Sequence, residues 1–249
     1  MEQPDSRFDS LVLKSVDKTL LSKSAPMVQA IPATEVTLRE LRQTFGLVPA
    51  QDADFFPEWA EVSTTSSETQ SSAIKLSDAD HALLDRVKAN YLELMESPPM
   101  LENTVKMVVL APLLDLSGFY HRPFRIETET GVSIKMQNEG TAKTTIIRGR
   151  IDVLVLNQQF WMLVIESKRS DFAVTRAIPQ ALSYMLSNPK TARPTFGMIT
   201  NGNEFLFLKT VRHPVAQYAN SRLFSLLNPG NELYDVLKIL KHLGHQLNV

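Results

Sequence analysis

The sequence predicts a mixed α/β domain, in which a central sheet of about five strands is flanked by helices and follows a small N-terminal extension. Two observations favour this fold class. Short runs rich in β-branched residues alternate with stretches of helical periodicity, and polar or glycine-containing breaks separate neighbouring runs. Hydrophobic residues make up 43% of the 249 residues, which is enough for a substantial core.

The N-terminal part differs in composition from the rest of the chain. Residues 1–76 are predicted to form the extension and a linker, and residues 77–249 form the main domain. One helix is predicted from Thr34 to Leu47, with Thr34 as its cap. Residues 62–72 are rich in serine and threonine, which is typical of a linker. The extension holds 7 basic and 11 acidic residues, a net charge of −4.

Two helices are predicted at the start of the main domain. Ser77 and Asp80 form a capping-box pattern at the beginning of the first helix. The second runs from Leu101 to Gly118. Pro112 is expected to kink it, because the proline ring displaces a carbonyl of the preceding turn.

The strands of the predicted sheet follow these helices. Asn201 and Gly202 are the strongest short hairpin signal in this part of the chain. An amphipathic helix at 232–247 closes the domain. The predicted strands lie within 122–136 and at 144–156, 160–167, 195–200 and 204–210, with an edge strand at 218–227.

Charged side chains interrupt an apolar pair of strands. If Asn157 closes the hairpin against Trp161, Asp152 lies opposite Glu166, with Cβ atoms roughly 4.5–5.5 Å apart. Lys168 shares the face of Glu166, because the two are two residues apart. Two ionised carboxylates at that range repel each other, and Mg²⁺, or Mn²⁺ as a substitute, turns the repulsion into coordination. The pattern predicts metal-assisted hydrolysis of an anion, and a phosphodiester fits best.

The alternative interpretation is a strand with a solvated polar edge, where Glu166 and Lys168 are ordinary surface charges. Theirs is the only acidic-x-Lys triplet in the chain, and it ends the most apolar strand. Residues 141–193 hold 8 basic and 3 acidic side chains, a local charge of +5 in a chain of net charge −1. A local positive field favours a polyanionic substrate, although a solvated rim of charges is the plain alternative.

Three motifs resemble those of the PD-(D/E)xK nuclease superfamily. They are G-x-x-D at 149–152, E-x-K at 166–168 and Q-x-x-x-Y at 180–184. The sequence is most similar to the N-terminal nuclease domain of type I restriction enzyme restriction subunits, over roughly residues 97–208. Glu102 followed by Gly118-Phe119, and the turn at 200–202, match further features of that family.

This resemblance implies a restriction-endonuclease-like fold and Mg²⁺-dependent, endonuclease-type hydrolysis of DNA. Asp152 and Glu166 would hold the metal, with Glu102 assisting directly or through water. Lys168 would orient or activate the attacking water. The alternative role of Glu102 is to complement the dipole of its helix as an acid in the first turn.

The resemblance also gives supporting roles to Gln180 and Tyr184, which lie four residues apart on one helix face. That face would look into the cleft and position water, phosphate or a base. The alternative is a surface amide beside a buried aromatic ring. The backbone carbonyl of Ser167 is a further candidate metal ligand.

Some elements of a complete restriction system are missing from the sequence. It contains no phosphate-binding G-x-x-x-x-G-K-[ST] loop and no zinc finger. Since type I restriction subunits need a translocase, the resemblance implies a lone nuclease module, a fragment, or a subunit that works on DNA beside a separate motor or specificity subunit. The competing hypothesis is a catalytically silent nuclease fold that serves nucleic-acid binding or complex assembly.

Composition limits the cellular context that we expect. The chain has no cysteine, which excludes disulfides and thiolate metal sites and favours a reducing cytoplasm. Its N-terminus lacks the pattern of a secretory signal. No apolar run approaches the roughly 18–20 residues of a membrane span, so no membrane partner is predicted.

Overall fold

The computed structural model describes residues 27–50, 74–96, 99–137, 143–158, 160–189 and 193–246. The helices are α1 (Leu38–Phe45), α2 (Asp78–Met95), α3 (Glu102–Val105), a π-helical turn (Lys106–Leu110), α4 (Ala111–Leu116), α5 (Ile178–Leu186) and α6 (Leu233–Gln246). Short 3₁₀ turns cover Ala33–Glu35 and Val174–Ala177. Within the described ranges, no helix is both long and apolar enough to cross a lipid bilayer.

The strands are β1 (Met27–Pro32), β2 (Val48–Pro49), β3 (Phe124–Gln137), β4 (Lys143–Asn157), β5 (Phe160–Ser167), β6 (Thr195–Thr200), β7 (Glu204–Val211), β8 (Gln217–Asn220) and β9 (Phe224–Ser225). All nine strands of the described residues form one mixed sheet in the order β1-β4-β5-β6-β7-β8-β2, with β3 beside β4 and β9 beside β7. The pairs β1–β4, β2–β8 and β5–β6 are parallel. The predicted class, a mixed sheet flanked by helices, is confirmed.

The sheet has more strands than the five predicted, because the N-terminal extension contributes to it. Strand β1 runs beside β4, and β2 pairs with β8. Leu41 and Leu47 are fully buried in the same apolar cluster as Ile147 of β4. Residues 27–50 therefore pack as part of the sheet, and the predicted boundary after residue 76 does not set them apart. The predicted linker at 62–72 lies outside the described residues.

Local signals set the ends of several helices. Ser77 and Asp80 form the predicted capping box at the start of α2. Helix α1 begins later than predicted, at Leu38, because Thr37 forms a capping box with Glu40. Thr34, the predicted cap, lies in the preceding 3₁₀ turn.

The predicted kink near Pro112 takes the form of the π-helical turn that precedes it. Proline has no N–H, and its ring would meet the carbonyl four residues earlier in a regular α-helix. The wider turn avoids this contact, and the N–H of Ala111 donates to the carbonyl of Lys106, five residues back. Such π-bulges are frequent at functional sites.

The hairpin between β4 and β5 closes one residue earlier than predicted. Asn157 pairs with Phe160 and not with Trp161, because a β-bulge follows within the ladder. The bulge restores the predicted register, and the ladder ends at the pair Val153–Ile165. The next position along that register would place Asp152 opposite Glu166, beyond the paired part of the hairpin.

Strand β4 changes the face that it buries close to Asp152. Ile147 and Ile151 belong to the apolar cluster that contains α1 and α5. Val153 and Val155 belong to the cluster that contains α2 and α6, although the strand period would keep all four on one face. The change occurs beside Glu129, which has a left-handed φ of 54° in β3. Asp152 therefore lies at an irregular point of the sheet.

Candidate active site

The candidate site occupies a gap along one edge of β4. Strand β1 pairs with β4 as far as Arg148, and β5 pairs with it from Val153 onward. In the described structure, residues 149–152 have no strand partner on this edge. Buried backbone groups need other hydrogen-bond partners at such a point, and side chains supply them here. The hydroxyl of Tyr184 accepts from the backbone N–H of Arg150.

Asp152 bridges β4 to the end of β5 and to the π-helical turn. Its Oδ2 accepts a hydrogen bond from the backbone N–H of Ser167 at 2.8 Å. Its Oδ1 accepts from Lys106 Nζ at 2.7 Å, and the same ammonium lies 3.3 Å from Glu129 Oε1. Asp152 is thus held in place by two donors while its side chain remains 13% exposed.

Glu166 is the buried carboxylate of the site. Its Oε1 accepts from Lys168 Nζ at 2.5 Å and from Gln180 Nε2 at 2.6 Å, whereas its Oε2 is buried without a hydrogen-bond partner. Burial raises the pKa of Glu166 to about 8, and the charge of Asp152 adds to that rise while Lys168 opposes it. A buried carboxylate oxygen without a partner is costly, so this position favours a cation or a proton.

Helix α5 brings the predicted glutamine and tyrosine to this carboxylate. Gln180 Nε2 donates to Tyr184 Oη at 2.9 Å as well as to Glu166, and all three side chains are buried. Burial raises the pKa of Tyr184 to about 12, with the charge of Glu166 as the next cause. The phenol therefore keeps its proton at neutral pH. This helix face lies in the site and not at the surface.

Gly149 makes room for the tyrosine. A Cβ atom at this glycine would lie 2.5 Å from Tyr184 Cε1 and 2.8 Å from Ala33 Cβ. Both distances are shorter than real Cβ contacts, so any larger residue would push the ring away from the gap. The glycine of the G-x-x-D motif is therefore explained by packing.

The turn after β6 supports the loop that carries Lys168. The N–H of Lys168 donates to the carbonyl of Thr200 at 2.7 Å, and the N–H of Gly202 donates to Thr200 Oγ1 at 3.0 Å. Asn201 Oδ1 accepts from the N–H of Glu204 at 2.7 Å. Gly202 has a φ of +87°, which glycine adopts without strain. The matched turn thus fixes the backbone at Lys168.

The donor set fits a hard divalent cation held by two carboxylates. Mg²⁺ is usually bound through one or two carboxylates together with water and substrate phosphate. The unpartnered Oε2 of Glu166 beside Asp152 offers such a position. Glu102 lies close enough for its charge to raise the pKa of Glu166, but the described residues contain no group of three His, Cys, Asp or Glu arranged around a metal ion. The role of Glu102 stays a prediction.

Sequence reasoning missed Lys106 and Glu129. Lys106 is the only basic residue between 99 and 118, and it lies four positions after Glu102. That spacing places both on one face of a helix, which is the signal that could have found it. Glu129 left no comparable signal, because its position follows from the backbone irregularity in β3.

Comparisons with known proteins show the family to which the chain belongs. The family model for the N terminus of type I restriction enzyme R proteins matches residues 56–214. No curated protein matches the chain. A solved fragment described as an HsdR subunit of a type I restriction enzyme from Vibrio vulnificus is 20% identical with a TM-score of 0.36, over 57% of this chain and 26% of that one. The match spans about a quarter of that solved fragment.

The family match covers more than half of the chain and includes the whole of the gap in β4, the E-x-K motif and helix α5. The chain therefore belongs to the family formed by the N-terminal region of type I restriction enzyme R proteins.

Proposed function

We propose that this protein is a metal-dependent nuclease that hydrolyses DNA phosphodiester bonds, as a restriction-enzyme R-subunit-like module. The observation that carries the proposal is the buried Glu166 carboxylate, which has one oxygen without a partner and lies beside Asp152. The family membership of the chain supports the same function.

Asp152 and Glu166 would hold the cation, Mg²⁺ or Mn²⁺ in its place. When bound, a divalent cation neutralises charge on the phosphate and acidifies water. The chain contributes prepositioned oxygens, because Ser167 N–H and Lys106 hold Asp152 while Lys168 and Gln180 hold Glu166. Glu102 would assist through water from the first turn of α3.

Lys168 would orient or activate the attacking water. Its side chain is 11% exposed, and its ammonium contacts Glu166 Oε1 and lies 5.6 Å from the centre of the Phe172 ring. Gln180 and Tyr184 restrict the carboxylate and its surroundings to one arrangement, since each hydrogen bond in this network is buried. They are positioning residues for the reaction.

The experiment that tests this function measures cleavage of supercoiled plasmid and of linear single-stranded DNA with Mg²⁺ or Mn²⁺. Wild type is compared with Asp152→Ala and Lys168→Ala. The proposal expects cleavage that requires the metal and is lost in both variants. Cleavage that survives Asp152→Ala would place the activity at another site.

A second function, nucleic-acid binding or assembly without turnover, is favoured by one observation. Lys106 and Lys168 already compensate the two carboxylates, and the described residues lack a three-ligand metal group. Tight DNA binding by a protein that neither cuts DNA nor binds metal would select this alternative. Under either function we propose DNA and a separate motor or specificity subunit as partners.

A further inference from the structure

A cavity of about 380 Å³ is lined in part by Asp152 and Lys106 and extends beyond the candidate active site. It opens between the π-helical turn, α4 and β3. Leu110, Leu114 and Ile126 give it apolar walls. The polar groups of the lining belong to Asn103, Lys106, Thr128, Glu129 and Asp152. Its volume is near the lower end of the roughly 300–1,000 Å³ that small-ligand pockets occupy. The cavity is therefore large enough for one ring system.

Two large side chains with apolar bodies also line this cavity and remain exposed. Met107 is 75% exposed and Tyr120 is 50% exposed. The hydroxyl of Tyr120 donates to the carbonyl of Ala111 at 3.3 Å, which anchors the ring against the helix. An exposed apolar rim of this kind marks a binding surface. The aromatic ring offers a stacking face beside the candidate active site.

The charged side chains of the cavity come from two segments with unusual backbone conformation. Lys106 lies in the π-helical turn, and it contacts Glu129, which has a left-handed φ, as well as Asp152. Strained or irregular backbone persists only where surrounding contacts enforce it, and it concentrates at functional sites. Both features direct charged groups to the place where a substrate phosphate would meet Asp152.

We propose that this cavity receives one unstacked nucleobase of the DNA strand that is cut at Asp152. The proposal rests on the proposed nuclease function and names the form of its substrate. A base has apolar faces for the walls and Tyr120, and it has polar edges for Asn103. The adjoining phosphate meets Lys106. Since a base must leave its duplex to enter, the site prefers single-stranded or locally unpaired DNA.

A nucleotide fits better than a protein partner because the cavity continues the candidate active site. The cavity shares Met107 and Tyr120 with a larger groove of about 850 Å³ along α2, and nothing in that groove identifies an occupant. The cavity itself differs, because its lining includes Asp152, together with Lys106, which is paired with Asp152 and Glu129. A nucleotide supplies both a ring for the apolar walls and a phosphate for the proposed metal site at Asp152, whereas an apolar side chain would supply only the first.

The test measures binding of the full chain to three fluorescent DNA probes by anisotropy, without divalent metal. The probes are a short single strand, a strand of equal charge built from abasic nucleotides, and the duplex. Wild type is expected to bind the strand with bases roughly tenfold more tightly than the abasic strand. Tyr120→Ala removes that difference and Tyr120→Phe keeps it, because stacking needs the ring and not the hydroxyl.

Two variants serve as controls. Leu227→Ala removes an apolar residue that is 60% exposed at a distant surface, and it leaves the base preference unchanged. Lys106→Met weakens binding of the strands with and without bases by similar factors, because it removes a cation and its ion pairs with Asp152 and Glu129, and neither change involves the bases. Both Tyr120 and Met107 are largely exposed, so their substitution does not threaten folding.

Equal binding of the strands with and without bases, or a base preference that survives Tyr120→Ala, would overturn the proposal. If the cavity serves a protein partner instead, Tyr120→Ala leaves DNA binding unchanged in the same way. Metal-dependent plasmid cleavage without any base preference would refute this inference and leave the nuclease function intact. Base-dependent binding without cleavage would support the pocket and refute turnover.

Discussion

The two carboxylates that would hold the metal lie in contrasting surroundings. Asp152 belongs to the lining of a cavity, and its side chain is 13% exposed and pairs with Lys106. Glu166 is 3% exposed, is enclosed by Lys168 and helix α5, and has its pKa raised to about 8 by burial. A carboxylate in the second setting gains most from a compensating cation. We therefore expect the outer half of the site, formed by Asp152 and Lys106, to meet the substrate, and the inner half, formed by Glu166, Lys168, Gln180 and Tyr184, to need the metal.

The largest expected effect comes from removing the inner anion. Glu166→Gln preserves shape but cannot supply a charged oxygen to a cation, so we expect metal-dependent DNA cleavage to fall by at least about a hundredfold. The measurement is the rate of plasmid nicking. Glu127→Gln, which alters a carboxylate paired with Arg125 at the surface, serves as control and keeps its rate. A Glu166→Gln protein that cuts normally would show that the inner half is not used.

The pH dependence of stability separates the two halves further. In the protein with EDTA, the folded state keeps a proton on Glu166 up to about pH 8, whereas the unfolded chain releases it near pH 4.5. The unfolded state then binds fewer protons, so the free energy of unfolding falls as the pH rises between those values. The expected loss is of the order of a few kcal/mol.

Urea denaturation at a series of pH values measures this slope. Glu166→Gln cannot titrate, so its stability is expected to change less across the same window than that of wild type. Parallel curves for the two proteins would contradict the raised pKa of Glu166.

The packing of the inner half predicts a smaller effect. Gly149→Ala places a methyl group against the Tyr184 ring and is expected to lower the free energy of unfolding by about 1–3 kcal/mol. Gly131→Ala is the matched control, because a Cβ in that neighbouring strand meets nothing within 4 Å. Its expected change is within about 0.5 kcal/mol. Equal effects in denaturant titrations would argue against close packing at Tyr184.

The outer half predicts the smallest effect on stability. Lys106→Met removes a partly exposed ion pair with Asp152, whose worth is about 1 kcal/mol or less. Mg²⁺ is expected to recover that loss, since it neutralises the same carboxylate. Thermal melting with and without Mg²⁺ measures both changes, and exposed Lys135→Met is the control. If Mg²⁺ raises the melting temperature of Lys106→Met by no more than it raises that of wild type, the cation does not compensate Asp152.

The two halves of the site could be predicted from the sequence to different extents. The capping box at Ser77, the turn at 200–202 and the Q-x-x-x-Y face are local patterns, and the structure places them as expected. The register of Asp152 toward Glu166 was predicted from an incorrect loop closure, which a β-bulge then offset. A bulge depends on packing across the sheet, and the period of a single strand does not encode it.

Contacts between distant segments could not be predicted. Strand β1 pairs with β4 across more than a hundred residues, so no local pattern reveals that partnership. Lys106 reaches Asp152 from the π-helical turn that precedes Pro112, near the point where β4 changes its buried face. The inner half of the site was thus predicted from its motifs, whereas the outer half emerged from tertiary structure.

The most direct test of the central claim is a calorimetric titration of the full chain with Mn²⁺. We expect saturable binding to wild type that is lost in both Asp152→Asn and Glu166→Gln. Asp171→Asn, which alters an exposed carboxylate paired with Arg169, binds like wild type. Saturable Mn²⁺ binding that survives both substitutions would contradict a metal held between the two carboxylates.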